Sequence, residues 1–292
     1  MKIKNVLWAT DGSEESLRAL KIARLIAKKF NVPVKGYYVI NKINKAIFEI
    51  LNMKIDLDEI AGRERERAGN FLTDVEKKLT NDKIKFTYDF GFGVPHSEIV
   101  KYAENNKADI LIMGKRGMGL FETNLTGSVT NKVIQSSSVP VLVYNSKTRK
   151  RISSINKILV PVNLCEDVLS SFDYALFIAK KFKSKITLVY VEEYYTYPVE
   201  MPVAVMDDLR DYFSNKMDEL VKKYKTANTK IETRVVESVS AYLGILRVCE
   251  SIKPDLIVMN THGKKGLKKF VLGSVAEKII TDMPCPVITL KP

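Results

Sequence analysis

The chain has 292 residues, of which 46% are hydrophobic and 28% charged, and its formal net charge is +13. The length suggests two domains or one large α/β domain, and the composition is typical of a folded globular protein and excludes a disordered one. No apolar run approaches the roughly 18–20 residues of a transmembrane helix. Residues 1–5 lead directly into a strand-like segment without the features of a secretory signal. We therefore expect a cytoplasmic protein with no membrane association.

Cysteine and histidine content limits the chemistry. Cys165, Cys249 and Cys285 are far apart and form no C-x-x-C pair, which excludes a disulfide framework and a zinc ribbon and favours a reducing compartment. With two histidines, His96 and His262, we predict no metal held by the protein itself. The lysines are spread as doublets along predicted helices, so the positive charge favours a solvated surface over a nucleic-acid partner.

The second half of the chain repeats the first. Lys4–Phe30 aligns with Asn156–Phe182 at a constant offset of 152 residues, and each copy reads as a short apolar strand, a polar turn and an amphipathic helix. Later glycines align at an offset of 146, with Gly127 matching Gly273. A polar, basic segment, residues 146–154, separates the copies. We predict one domain over residues 1–146 and a second over residues 155–292.

Strands and helices alternate within one copy. This pattern predicts a parallel sheet covered by helices on both faces, and hence two tandem Rossmann-like three-layer α/β/α domains. The predicted elements of the first copy are, in chain order, strand Lys4–Ala9, helix Glu14–Phe30 with Ser13 as N-cap, strand Val34–Ile40, a helical stretch from about Asn44 to Leu79 broken near Ile55–Leu57, strand Ile84–Phe90, helix Ser97–Asn105, strand Asp109–Met113, a glycine-rich loop Gly114–Gly127, helix Ser128–Gln135 and strand Val139–Tyr144.

The glycine-rich loop is the motif most indicative of chemistry. Its last residues open a helix, where unpaired amides and the helix dipole favour an anion such as phosphate. Ser128 adds a hydroxyl, and Lys115 and Arg116 add positive charge. Asp11 follows the first strand and would face the same crevice if strands one and four were neighbours. A plain tight turn can carry the same glycines, and that alternative stays open at this point.

The spacing Gly114-x2-Gly117-x9-Gly127-Ser128, with ATDGSEES after the first strand and SVPVLVY as the last, resembles the universal stress protein family. The second copy carries the similar THGKKGLKKFVLGSVAEKII and CPVITL. The resemblance implies a five-stranded parallel sheet of order 3-2-1-4-5 and ATP, with Mg²⁺, as the ligand. It also implies that the two copies pair through their fifth strands as an internal pseudo-dimer. A homodimer of chains and a protein partner of unknown identity are further expectations.

Carried onto this sequence, the resemblance implies a complete ATP site in the first copy. The second copy departs from the pattern at Asn163, where an Asp is expected, and at Asn260, where a Gly is expected, so we predict a weaker site there. The predicted ATP-binding residues of the first copy are Ala9, Thr10, Asp11, Val39, Met113, Gly114, Arg116, Gly117, Gly127, Ser128 and Val129. Those of the weaker site are Pro161, Val162, Asn163, Val191, Asn260, Gly263, Gly273, Ser274 and Val275.

The sequence does not support the hypothesis that the protein is an enzyme. There is no P-loop and no complete dinucleotide fingerprint, and no general base or carboxylate pair for Mg²⁺ recurs in both copies. No catalytic residue is therefore predicted. The leading hypothesis is an ATP-binding sensor or regulator of a stress response with little or no catalysis. The alternatives are a nucleotide-independent interaction module of the same fold and a slow ATP hydrolase.

Overall fold

The computed structural model describes residues 1–41, 56–115, 127–145, 152–164, 169–193, 203–224, 229–261 and 272–291. Their contacts group them into two compact units, one made of most of residues 2–141 and the other beginning at Leu142. None of the helices in these ranges is long and apolar enough to cross a membrane.

The first repeat is built on parallel strands in the order β3-β2-β1-β4-β5. β1 is buried along its whole length, and so is β4, as expected for central strands covered on both faces. The elements are β1 (Val6–Thr10), α1 (Glu14–Phe30), β2 (Val34–Asn41), α2 (Leu57–Asn81), β3 (Phe86–Gly93), α3 (Pro95–Asn105), β4 (Ile110–Gly114), α4 (Ser128–Ser136) and β5 (Val141–Tyr144).

The second repeat has the same plan, with its strands in the order β8-β7-β6-β9-β10. The parallel α/β architecture predicted from the alternating pattern is confirmed. The elements are β6 (Lys157–Pro161), α5 (Leu169–Phe182), β7 (Lys185–Glu193), α6 (Val203–Lys223), β8 (Ile231–Ser238), α7 (Ala241–Ile252), β9 (Leu256–Asn260), α8 (Ser274–Asp282) and β10 (Val287–Leu290).

Several predicted element bounds were wrong. β3 was expected to end at Phe90, but it continues through Gly91 to Gly93 and pairs with β2 along that whole length. A glycine is needed inside this strand because of packing. A Cβ on Gly91 would lie 2.2 Å from the hydroxyl oxygen of Tyr37, whose ring stacks on Tyr102 at 3.8 Å between centroids. The glycine therefore marks a close approach within a strand, where the sequence suggested its end.

Other bounds differ by shorter distances. α3 begins at Pro95, earlier than the predicted Ser97, because proline is well accommodated at the first helical position. α2 begins at Leu57 and is capped by the side chain of Asp56, which accepts the amides of Asp58 and Glu59. The part of the predicted helical stretch before it, residues 42–55, lies outside the described residues.

One aspartate in each repeat holds the start of the first strand. Oδ2 of Asp109 accepts the amides of Lys4 and Asn5 at 2.7 and 2.9 Å. Oδ2 of Asp255 accepts the equivalent amides of Asn156 and Lys157 at 2.8 and 3.0 Å. Each carboxylate directly precedes β4 or β9, so it ties the start of that strand to the start of its neighbour, β1 or β6.

The residue that follows α7 has a strained backbone conformation, and relieving this strain should stabilise the protein. Lys253 follows α7 with φ 50° and ψ 67°, a left-handed conformation that disfavours any residue with a Cβ, and its amide donates to the carbonyl of Cys249 at 2.9 Å. We expect Lys253→Gly to raise the free energy of unfolding by about 0.5–1 kcal/mol. Thermal denaturation measures this, with Lys253→Ala as control because alanine keeps the strain. Equal melting temperatures for the glycine and alanine variants would contradict the prediction.

Candidate functional site

The carboxyl ends of β1 and β4 lie side by side. β1 pairs with β4 in the register Val6 with Ile110 and Trp8 with Ile112. Asp11, which follows β1, and Gly114, which ends β4, are therefore at the same edge of the sheet. β1 and β4 are thus neighbours, as the prediction of a shared crevice requires.

The turn between β1 and α1 holds Asp11 by local hydrogen bonds. Oδ1 of Asp11 accepts the amide of Ser13 at 3.0 Å, and the hydroxyl of Thr10 accepts the amide of Gly12 at 3.1 Å. Gly12 has a φ of 81°, which suits a residue without a Cβ. The side chain of Ser13 accepts the amide of Ser16 and caps α1 as predicted. The Asp11 carboxylate is thus fixed by the turn itself.

A buried hydroxyl pair lies beneath this turn. The hydroxyl of Ser16 donates to the carbonyl of Ser13 at 2.8 Å, and its oxygen lies 2.8 Å from the hydroxyl oxygen of Thr10. Since the proton of Ser16 is used by Ser13, Thr10 is the donor in this pair. The indole N–H of Trp8, which is fully buried, donates to the carbonyl of Ser16 at 2.9 Å. These bonds join the end of β1 to the first turn of α1.

The N-terminus of α4 is tied to the end of β4. The amide of Gly127 donates to the carbonyl of Lys115 at 3.0 Å, and the hydroxyl of Thr130 donates to the carbonyl of Gly114 at 3.0 Å. Gly127 is the N-cap residue, no acidic side chain lies in the first turn, and Ser128 is exposed. The first amides of a helix have no intrahelical acceptor and lie at the positive end of its dipole. This helix end can therefore hold an anion.

Gly114 is required by packing as well as by any ligand. A Cβ at this position would lie 3.0 Å from backbone atoms of Glu15 and Ser16 in the first turn of α1. From the sequence, the loop glycines are expected to let the backbone approach a ligand closely. At Gly114 the structure shows a close approach between β4 and α1.

The remaining predicted residues of the first repeat are found in several environments. Ala9, Thr10 and Met113 are buried in the ends of β1 and β4, and Val39 and Val129 are half-buried. The side chain of Lys115 is 1% exposed, so it adds no surface charge beside the loop as the sequence had suggested. Arg116 and Gly117 lie outside the described residues.

The structure adds Tyr38 and Glu64, which the sequence did not single out. The hydroxyl of Tyr38 donates to Oε1 of Glu64 at 3.4 Å. Burial, followed by the negative charges of Glu64 and Asp11, raises the pKa of Tyr38 to about 12. Tyr38 on β2 and its partner Glu64 on α2 thus lie near the Asp11 turn, where the Asp11 charge acts on the tyrosine. β2 also contains Lys35, Tyr37 and Asn41, so its sequence gave no signal that distinguishes Tyr38.

His96 lies in the first turn of α3, as expected of a residue at a junction between loop and helix. Burial and the nearby positive charge of Lys132 on α4 lower its pKa. The imidazole is therefore neutral at pH 7 and adds no positive charge next to α4. The second histidine, His262, lies outside the described residues.

The second repeat keeps part of this geometry. The amide of Gly273 donates to the carbonyl of Thr261 at 3.0 Å, which repeats the bond between Gly127 and Lys115. Gly273 is again the N-cap, and Ser274 is again exposed, while Val275 is half-buried. Pro161 ends β6, Val162 and Asn163 follow it, and Gly263 lies outside the described residues.

Other contacts differ in the second repeat. Asn260 replaces Gly114, and its side-chain oxygen accepts the hydroxyl of Ser170 in α5 at 2.8 Å. Glu277 places a negative charge in the first turn of α8, where α4 has none. This charge opposes the binding of an anion.

The end of β7 also differs from that of β2. Val191 packs against α7 so closely that a Cβ on Gly244 would lie 2.5 Å from one of its methyl groups. Glu192, which aligns with Ile40, is 5% exposed, and within the part of the chain that the structure describes its buried Oε2 has no hydrogen-bond partner. β7 thus carries a buried carboxyl group near its end, where β2 has an isoleucine. Among the described residues, no group of three or more His, Cys, Asp or Glu side chains is placed to hold a metal ion.

The profile of the universal stress protein family matches residues 2–145 and again residues 154–291. The chain belongs to the universal stress protein family. Among its relatives, a universal stress protein of Methanocaldococcus jannaschii is 36% identical over 140 residues, which are 48% of this chain and 81% of that protein. Another from the same organism is 32% identical over 161 residues, which are 49% of this chain and 96% of that protein.

Among solved structures, the crystal structure of a universal stress protein from Archaeoglobus fulgidus matches with a TM-score of 0.74 and 26% identity. The match covers 98% of each chain. This universal stress protein is therefore of the tandem type, with two family domains in one chain.

Proposed function

We propose that the first repeat of this universal stress protein binds ATP and that the chain is a nucleotide-dependent sensor or regulator of a stress response, with little or no catalysis. The observation that carries the proposal is the pairing, at one edge of the sheet, of the fixed Asp11 carboxylate with the N-terminus of α4, whose first turn has no acidic residue. A nucleotide offers the matching groups, hydrogen-bond donors at one end and phosphates at the other.

Within this proposal each part of the site has a distinct role. Asp11 and the backbone near Val39 hold the adenosine end, as the family resemblance implies. The amides at Gly127, Ser128 and Val129, with the Ser128 hydroxyl, bind phosphate oxygens. Mg²⁺ arrives with the nucleotide and is held through the phosphates.

The second repeat binds nucleotide weakly or not at all in this proposal. Asn260 carries a side chain where the first repeat has none, and Glu277 repels phosphate at the start of α8. Asn163 lacks the charge of Asp11. We therefore propose one ATP per chain.

The proposal is tested by thermal denaturation with and without Mg-ATP, in the wild type and in a matched pair of variants, Gly127→Val and Gly273→Val. A branched side chain at either N-cap blocks the approach of a phosphate. Ligand at about 100 times its Kd adds about 2.7 kcal/mol, which is several degrees for domains of this size. We expect this rise in the wild type and in Gly273→Val, and its loss in Gly127→Val.

A lack of any rise in the wild type, with no nucleotide released when the purified protein is denatured, would contradict the proposal and favour an interaction module that needs no nucleotide. Phosphate release measured in the same samples tests for slow hydrolysis. ATP hydrolysis that is lost in Asp11→Ala would show that this site is catalytic. Size-exclusion chromatography with light scattering tests the expected homodimer.

A further inference from the structure

We infer that Thr130 is a positioning residue that couples the two ends of the proposed ATP site and makes it select ligands that carry a phosphate chain. The inference rests on the proposed function, because it concerns the same site. Thr130 need not contact the ligand to act in this way, and the coupling is confined to the first repeat.

The first step is the bond from Thr130 to β4. Its side chain is 3% exposed, and its hydroxyl donates to the carbonyl of Gly114 at 3.0 Å. Thr130 lies in the first turn of α4, whose amides are the proposed phosphate ligands. The bond therefore fixes the position of these amides relative to the end of β4.

The second step leads from β4 to α1. The close approach of Gly114 to the backbone of Glu15 and Ser16 leaves no room for a Cβ, so the end of β4 and the first turn of α1 move together.

The third step leads from α1 to β1, because the hydroxyl of Ser16 is bonded to that of Thr10 at 2.8 Å. Thr10 immediately precedes Asp11, so the contacts run from the phosphate end of the site to the adenosine end.

The aligned side chains of the second repeat cannot form the same hydrogen bonds. Its sequence has Val162 for Thr10, Val168 for Ser16, Asn260 for Gly114 and Ala276 for Thr130. Neither valine nor alanine can donate a hydrogen bond through its side chain. Instead, Asn260 is bonded to Ser170 of α5. The coupling is thus a property of the first repeat, the one with the complete motif.

This coupling has a consequence for ligand selection. A ligand that reaches both Asp11 and α4 binds best when the distance between them is fixed in advance, since it then spends no binding energy on ordering the site. Adenosine reaches only the Asp11 end. Loss of the Thr130 hydroxyl should therefore weaken the binding of ATP and leave that of adenosine unchanged.

The test is calorimetric titration of the full chain with Mg-ATP and with adenosine, where weak adenosine binding is measured by competition with a fluorescent ATP analogue. Thr130→Val keeps the branched shape and removes the hydroxyl. We expect its Kd for ATP to rise about tenfold and its Kd for adenosine to stay within twofold. Thr130→Ser, which restores the hydroxyl, should bind both ligands like the wild type. Ala276→Ser is the matched control in the second repeat and should change neither Kd.

The outcomes separate the two proposals. If the wild type does not bind ATP, the proposed function fails. If the wild type binds ATP and Thr130→Val binds it equally well, or loses ATP and adenosine to the same extent, the proposed coupling is wrong. Should Thr130→Val fail to fold, Thr130→Ala removes the same hydroxyl without touching the Asp11 turn and must show the same selective loss of ATP binding.

Discussion

Glu192→Ile should raise the free energy of unfolding of the second repeat by about 2–3 kcal/mol. Glu192 is buried, its Oε2 has no hydrogen-bond partner among the described residues, and the equivalent residue of the first repeat is the buried Ile40. A buried acceptor without a hydrogen bond costs about 1–3 kcal/mol, whereas burying an isoleucine side chain stabilises by about 1.5–3 kcal/mol. Denaturant unfolding followed by far-UV circular dichroism measures the change.

Glu192→Gln is the control for this prediction. It removes the charge and keeps a buried polar group, so its stability should lie between those of the wild type and the isoleucine variant. A loss of stability in Glu192→Ile would mean that the carboxylate serves a bound cation or hydrogen-bond donor, and the second repeat would then need a new functional hypothesis.

Asp255→Ala should destabilise the second repeat by about 3 kcal/mol. Its carboxylate accepts two backbone amides at the start of β6 and is 5% exposed. Hydrogen bonds to charged groups contribute about 1.5–3 kcal/mol each, and their loss leaves donors unsatisfied. Denaturant unfolding of the full chain, followed by circular dichroism, measures the effect.

The equivalent change Asp109→Ala is the matched comparison, and its cost should be smaller because Asp109 is only half-buried. Trp8 is the only tryptophan of the chain and lies in β1, so its fluorescence reports unfolding of the first repeat. Asp109→Ala should shift the fluorescence transition and Asp255→Ala should not. Equal shifts of that transition in both variants would contradict the assignment of each aspartate to its own repeat.

The architecture could be predicted from the sequence because the same pattern occurs twice. An apolar strand, a polar turn and an amphipathic helix recur at constant offsets, and the aligned segments fold into equivalent elements, as with β1 and β6. The N-cap Ser13 was predictable as well, since hydroxyl residues before a helix accept its first amides. Such local signals need no knowledge of distant contacts.

The contacts that set the site's geometry could not be predicted in the same way. The bond from Thr130 to Gly114 and the hydroxyl pair of Thr10 and Ser16 depend on how β1, β4, α1 and α4 pack, which neither the periodicity nor the motif spacing encodes. Glu192 was equally hidden, because a glutamate at the end of a strand is usually exposed.

A backbone hydrogen bond holds the start of a helix to the end of the preceding strand in both repeats. It joins Gly127 to Lys115 in the first repeat and Gly273 to Thr261 in the second, at 3.0 Å in both. Both bonds run between backbone atoms, so they do not depend on the side chain that follows the strand, a lysine in the first repeat and a threonine in the second. The start of the helix can therefore keep its place beside the end of the strand while the residue at that position changes.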